Sequence, residues 1–220
     1  MDLQPIRADF LRAALAGRRL DAARLVCQAL NAGVDADALL VGVLGEAQRE
    51  VGDRWAENVI SVADEHLTTA TTQLTAALLL ARAERPAPQG LRALFACVPG
   101  ERHGVPCQLA AATYELAGFD VIYLGADVPQ VELLRAVDVH RPHLVGLSCT
   151  LFHHLPALHR SLDALASAHP DVLRAAGGQA IDPSFRPRHP CVRTGDAARP
   201  AEAARALRSL QADARLAAPH

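Results

Sequence analysis

The residues with chemistry to offer fall in four short segments of this 220-residue chain. The first is Pro99-Gly100-Glu101-Arg102-His103-Gly104-Val105-Pro106, in which a histidine follows a carboxylate by two positions. A neutral imidazole is a good ligand for a borderline transition metal, and an acceptor on its second nitrogen fixes the tautomer. The second segment, Ser148-Cys149-Thr150, offers two small hydroxyls. The third, Gly177-Gly178-Gln179, lets another group approach the backbone closely. The fourth is Trp55 followed after nine residues by Glu65-His66: an indole, a carboxylate and an imidazole. Each has an ordinary reading as well. A loop histidine is usually solvated, Ser148 can cap a backbone group, a glycine pair makes a turn, and a tryptophan usually packs a core. A zinc site using His103 and Cys107 would need two further ligands that the spacing does not supply.

Residues 1–85 must place Trp55, Glu65 and His66, and they read as helical throughout. One apolar stripe is Phe10, Leu11, Ala14 and Leu15. A second is Leu20, Ala23, Leu25, Val26 and Leu30, stopped by Asn31 and Gly33. A third helix opens near Asp35 and carries Leu39, Leu40, Val43, Leu44, Ala47 and Val51. A fourth opens at Ser61, with Asp64 in the role of an acidic capping-box residue, and continues through Leu67, Leu74, Leu78 and Leu79. A four-helix bundle over 1–85 is the expectation. Trp55 then falls near the end of the third helix and Glu65-His66 in the first turns of the fourth. A short connection around Asn58 brings all three to one end of the bundle.

Residues 86–90, Pro-Ala-Pro-Gln-Gly, form a linker. Beyond it the periodicity changes. Short apolar runs over 91–98, 119–124, 143–149 and 172–176 suit buried parallel strands, and Val192 marks a fifth. Helical stretches over 105–117, 129–140, 155–168 and 198–212 alternate with them. The predicted class is α + α/β: an N-terminal four-helix bundle cap, then a Rossmann-like (flavodoxin-like) parallel five-stranded sheet over 91–215.

Ligands of such sheets sit at the carboxyl ends of the strands. The Glu101–His103 loop, Ser148-Cys149-Thr150 and Gly177-Gly178 follow strands one, three and four, so they converge. Three common sites are excluded there. The first loop lacks G-x-G-x-x-G, the chain has no lysine for a P-loop, and strand three ends in Ser148 and Thr150 where a phosphoacceptor site has an aspartate. A net charge of -2 gives no signature of nucleic-acid binding. No apolar run reaches the roughly 18 residues of a membrane span and no signal peptide opens the chain. The five cysteines are scattered without a CxxC pair. The expectation is a soluble cytoplasmic protein without direct DNA binding, membrane contact or disulfides.

The loop residues resemble the cobalamin-binding domain family, whose pattern is D-x-H-x-x-G, then S-x-L, then G-G. Here it reads Glu101-x-His103-x-x-Pro106, Ser148-x-Thr150 and Gly177-Gly178. The departures are Glu for Asp, Pro106 for Gly and Thr150 for an apolar residue. Pro106 is tolerable if it opens the following helix at its first position. The resemblance implies that the benzimidazole tail leaves cobalt and enters the α/β domain, with His103 replacing it as the metal ligand and Glu101 behind that imidazole. It implies that Gly104, Ser148, Thr150, Gly177 and Gly178 also contact the cofactor. The W-x9-EH spacing resembles the helical cap of cobalamin-dependent light-sensing transcription regulators. By that likeness Trp55 packs against the upper axial group, Glu65 and His66 flank the same space, and Glu65 is placed to bond an adenosyl ribose.

The resemblance implies a cobalamin cofactor: adenosylcobalamin first, with methylcobalamin or hydroxocobalamin as alternatives. Radical mutases need a substrate barrel for which 220 residues leave no room. The expected function is a stand-alone sensor without catalytic residues, light-responsive through photolysis of the cobalt–carbon bond. It would signal to a protein partner such as a transcription regulator, with a homo-oligomer possible. The alternative is a corrinoid methyl carrier for a methyltransferase system, and a chaperone or storage role stays open. Some light-sensing relatives carry a histidine just after the tryptophan; here that position is Ala56, and His66 is the nearest substitute. His153-His154, after strand three, could lie near the tail channel or the corrin rim.

Overall fold

The structure, a computed structural model, describes residues 2–195 and 200–217. The chain divides into two compact units, Met1–Arg85 and Pro86–His220.

The first unit is helical: α1 (Gln4–Leu15), α2 (Arg19–Asn31), α3 (Ala36–Leu39), α4 (Glu46–Ala56) and α5 (Val62–Arg82). A π-helical turn, Leu40–Gly45, joins α3 to α4, so these form one continuous run with a widened turn. The hydrophobic pattern gave no sign of that turn. Gly42 and Gly45 fall inside it, residues with weak helix preference, and the Leu3 side chain lies where a Cβ on Gly42 would sit. Asp35 caps the run, its carboxylate accepting from the Ala38 N–H at 2.9 Å.

The expected stripes of the first three helical runs supply the core: Phe10, Leu11, Ala14, Ala23, Val26, Leu39, Leu40, Val43, Leu44, Ala47 and Val51 are buried. Leu20 is the outlier and is exposed. On α5 the expected stripe is displaced. Leu67 is exposed, and the buried face is Thr68, Thr71, Thr72, Thr75, Ala76 and Leu79. The hydroxyls of Thr68, Thr71 and Thr75 donate to the carbonyls of Asp64, Leu67 and Thr71 at 3.0, 2.7 and 2.7 Å. Bonded back onto their own helix, they leave only methyl groups for the core to pack, which is how a threonine face can be buried.

The second unit runs β1 (Arg92–Cys97), α6 (Gly104–Leu116), β2 (Asp120–Gly125), α7 (Gln130–His140), β3 (Leu144–Ser148), a 3-10 turn (Phe152–His154), α8 (Leu155–Ala168), β4 (Leu173–Gly177), β5 (Val192–Gly195) and α9 (Pro200–Ala217). The expected start of the last helix at 198 lies outside the described residues. The five strands are parallel, in the order β2-β1-β3-β4-β5, which is the flavodoxin-like arrangement. Both sheet faces are covered, so β1 is apolar on both sides. Ala93, Phe95 and Cys97 pack on Cys107, Ala111 and Tyr114 of α6 and on Ala203, Ala204 and Leu207 of α9. Leu94 and Ala96 pack on Leu133 and Val137 of α7 and on Leu158 and Leu162 of α8. Pro106 is the third residue of α6 rather than its first. It still lies in the opening turn, whose N–H groups have no partner within the helix.

No helix among the described residues is long and apolar enough to cross a membrane. The five cysteines are free thiols.

Gly146 faces Phe95 in the β1/β3 register, and a Cβ there would overlap the Phe95 ring. That ring cannot retreat freely, because it stacks edge-on against Tyr114, centroids 4.9 Å apart, and Tyr114 stacks likewise on Phe119. Gly146→Ala is expected to lower stability by about 2–3 kcal/mol through overpacking. Gly52→Ala, in α4 with open space around it, should raise stability by up to about 1 kcal/mol. Urea denaturation of the two variants checks both signs.

Candidate functional site

The connections from β1 and β3 leave the sheet in opposite senses, and the crevice between them is the switch point of the fold. One side chain crosses it. Glu101, in the loop after β1, is completely buried. Its Oε1 accepts from the His103 backbone N–H at 2.9 Å and lies 2.6 Å from His103 Nδ1. Its Oε2 accepts from the backbone N–H groups of Thr150 and Leu151, after β3, at 2.8 and 3.0 Å. Burial pushes this carboxyl up. The His103 ring and N–H, then the Leu151 and Thr150 N–H groups, outweigh that and bring it down to about 2. Glu101 is therefore ionised and can only accept, so His103 Nδ1 carries the proton and a neutral ring has its lone pair on Nε2. His103 is the N-cap residue of α6, and its side chain is half exposed.

The other residues singled out after the strands are close by. Ser148 is buried at the end of β3, with Cys97 of β1 and Gly177 of β4 as its pairing partners. Thr150 Oγ1 is buried without a hydrogen-bond partner. Gly178 has φ +105°, and a Cβ there would overlap the Cys149 carbonyl, so only glycine allows this approach of the β4 loop to the β3 loop. Gly104 opens α6, and its carbonyl accepts from the Tyr123 hydroxyl at 3.1 Å. Among the described residues, no three His, Cys, Asp or Glu side chains form a group that could hold a metal. Cys107 faces Cys97 in the core, away from any zinc role with His103.

Two further residues border the Glu101 loop: Asp127, which lacked a sequence signal strong enough to single it out, and His154, of the pair expected near the tail channel or corrin rim. Asp127, after β2, accepts from the Gly100 N–H at 2.7 Å through Oδ1 and donates its own N–H to the Glu101 carbonyl at 2.9 Å. Its turn setting, Gly125-Ala126-Asp127 just before Pro129, was the available hint. His154 packs its ring where a Cβ on Gly100 would lie, and its centroid is 4.0 Å from that of His153. The histidine pair thus borders the Glu101 loop.

In the helical unit, Trp55 is 50% exposed and so is not a core tryptophan. It lies in the last turn of α4, which ends with Asn58 at φ 58°. The Asn58 and Val59 N–H groups bond back to the Trp55 and Arg54 carbonyls at 2.9 and 2.8 Å, a Schellman-type stop. Ser61 and Asp64 form the capping box that opens α5. Glu65 Oε2 is 2.5 Å from Nδ1 of the exposed His66, and Glu65 Oε1 accepts from Thr69 at 2.7 Å. Thr69 Oγ1 lies 3.1 Å from Gln48 Oε1, an alternative acceptor for its single hydroxyl proton, and Gln48 Nε2 donates to Thr72 at 2.8 Å. The Gln48–Thr72 bond ties α4 to α5, and the Thr69 hydroxyl holds one oxygen of the Glu65 carboxylate.

An imidazole with its lone pair directed to Nε2, and a buried hydroxyl with an unmet hydrogen bond beside it, suit a corrinoid: a nitrogen donor for cobalt and a partner for a polar group of the tail. Residues 91–209, more than half of the chain, match the B12 binding domain family. The chain is a member of the B12-binding domain family. A second B12 binding domain family matches residues 6–79, within the helical unit. Among curated relatives, the HTH-type transcriptional repressor CarH of Myxococcus xanthus is 36% identical over 106 residues, which is 48% of this chain and 35% of CarH. The repressor CarA of the same organism is 33% identical over 142 residues, 64% of this chain and 45% of CarA. The matched part thus spans less than half the length of either repressor. Among solved structures, the monomethylamine corrinoid protein of Methanosarcina barkeri superposes with a TM-score of 0.77 at 19% identity, covering 96% of this chain and all of that one. That likeness is one of fold, and B12-binding membership rests on the sequence match.

Glu101→Gln keeps the shape of the side chain but replaces one acceptor oxygen by an NH2 group, which must face either His103 or the Thr150/Leu151 pair. A buried, fully bonded charged acceptor is lost, and stability should fall by about 2–4 kcal/mol. Urea unfolding of the cofactor-free protein measures this.

Proposed function

We propose that the protein is a cytoplasmic, cobalamin-binding light sensor that signals to a protein partner, such as a transcription regulator or an output domain. The observation that carries this reading is the Glu65 carboxylate, held by Thr69 beside His66, in the same helical unit as the half-exposed Trp55. Its other support is that two of the chain's relatives are transcriptional repressors. An alkylcobalamin supplies a cobalt–carbon bond that visible light can break.

In this reading His103 is the lower ligand through Nε2, and Glu101 fixes its tautomer and ring orientation. Ser148, Thr150, Gly177 and Gly178 line the tail site, with Thr150 Oγ1 meeting a polar group and the glycines permitting close approach. Gly104, at the start of α6, contacts the cofactor without a side chain in the way. Trp55, Glu65 and His66 act on the upper ligand: the indole as an apolar cover, Glu65 as acceptor for ribose hydroxyls. Adenosylcobalamin is accordingly the first choice of cofactor. No residue is catalytic. Switching needs a difference in interaction free energy between the dark and photolysed forms, and the Trp55 cover, which has something to pack on in only one of them, supplies it. The second reading, a corrinoid methyl carrier, would use the same lower site but has no need of a fixed carboxylate at Glu65.

Anaerobic absorption spectra and size-exclusion profiles of the adenosylcobalamin-loaded protein, before and after green light, test the proposal. A rapid spectral change with a shift in oligomeric state or partner binding is expected. Photolysis no different from that of free cofactor, with an unchanged assembly, would sink the sensor. Methyl transfer to a thiol by the methylated form, given a partner enzyme, would favour the carrier. His103→Ala should alter the spectrum of the bound cofactor, and an identical spectrum would overturn its role as ligand.

A further inference from the structure

Glu101 is held from both sides of its strand. Toward β3, its side chain takes the N–H groups of Thr150 and Leu151. Toward β2, its backbone is held by a single residue, Asp127, whose N–H donates to the Glu101 carbonyl at 2.9 Å. The Asp127 carboxylate reaches back to the same loop and accepts from the Gly100 N–H at 2.7 Å. Gly100 has φ +88°, so this loop bends sharply one residue before Glu101, and Asp127 fixes the bend and the residue after it together. Asp127 itself has φ 52°, a left-handed conformation that most side chains avoid and that Asp and Asn tolerate. The adjoining Val128 N–H donates to the Cys97 carbonyl at 3.2 Å, which anchors the β2 loop to the end of β1. A non-glycine residue in that conformation, with both its main chain and its side chain bonded to one neighbouring loop, is built for placement.

We propose that Asp127 is a positioning residue for the cobalt ligand: by clamping Gly100 and Glu101 it sets where the His103 imidazole stands. This rests on the reading of His103 as ligand, and it adds a residue from a fourth strand end, that of β2, to a lower site otherwise drawn from strands one, three and four. Asp127 touches no cofactor atom in this account. It acts through the loop, as the Thr150 and Leu151 N–H groups do from the other side. Its exposed hydrogen bond contributes little to overall stability, so its effect falls on geometry.

The test uses the full chain labelled with 15N-histidine and loaded with cob(II)alamin, read by electron paramagnetic resonance. Histidine-on cobalt shows a doublet from 15N, and benzimidazole-on cobalt keeps the 14N triplet. Asp127→Gly removes the carboxylate while keeping the positive φ, so folding is spared, and the urea midpoint of the cofactor-free protein should stay at the wild-type value. Outer-shell changes typically cost 10–100-fold, and the ratio of histidine-on to histidine-off cobalt is expected to fall about tenfold. Asp127→Asn, which keeps Oδ1 and tolerates the same conformation, should restore it. A wild-type ratio in Asp127→Gly, or an Asp127→Asn protein as impaired as Asp127→Gly, would overturn the inference. A wild-type spectrum without the 15N doublet would instead remove the His103 reading on which it stands.

Discussion

A carboxylate without access to water has to be surrounded by donors, and Glu101 meets that condition with four of them from two loops. Burying the charge unpaired would cost several kcal/mol. Both oxygens must therefore be engaged, and they can be engaged together only if the loops after β1 and β3 stand side by side. The strand order β2-β1-β3-β4-β5 provides this. The same carboxylate that ties the loops also decides which imidazole nitrogen of His103 holds the proton. Loop placement and the tautomer of His103 are consequences of one ion.

Much of this was legible in the sequence because it is written in patterns that folding must respect. Strands buried on both faces need continuous apolar runs, and the run at 91–98 is the strand of Ala93–Cys97 with its two covered faces. Glu101 and His103 could be paired from their spacing because a loop between strand and helix leaves little freedom over two residues. What could not be read was contact between strand ends without a shared motif. Asp127 comes from the loop after β2, and only the tertiary fold makes it a neighbour of Gly100. The buried face of α5 was misjudged for a different reason. Threonine counts as polar in any periodicity, yet with its hydroxyl bonded to its own helix it presents a methyl group to the core. The widened turn at Leu40–Gly45 preserves burial on both sides of itself and so leaves the apolar pattern unchanged.

The helical unit repeats, with different residues, the device used in the sheet. Glu65, like Glu101, is a carboxylate oriented by neighbours rather than left to rotate, here by Thr69 and His66. The difference is in depth. Glu101 is sealed and held ionised by its donors, and so suits a structural hold on the His103 ring. Glu65 is partly open, beside an imidazole that is largely in solvent, and so can exchange partners. The first is a fixture and the second a contact that can be made and broken.

The crossover order of the sheet also bears on how the protein comes into being. Glu101 and the N–H groups that satisfy it are 49 and 50 residues apart in the chain, with β2 and α7 made in between. Contacts of such long range form late, after the loop-closure entropy has been met. A nascent chain that has emerged only through α7 holds Glu101 and His103 but none of the donors from the β3 loop. It cannot yet keep the carboxylate buried or the imidazole in a set tautomer. Cofactor capture therefore has to wait until β3 has been synthesised and has docked beside β1.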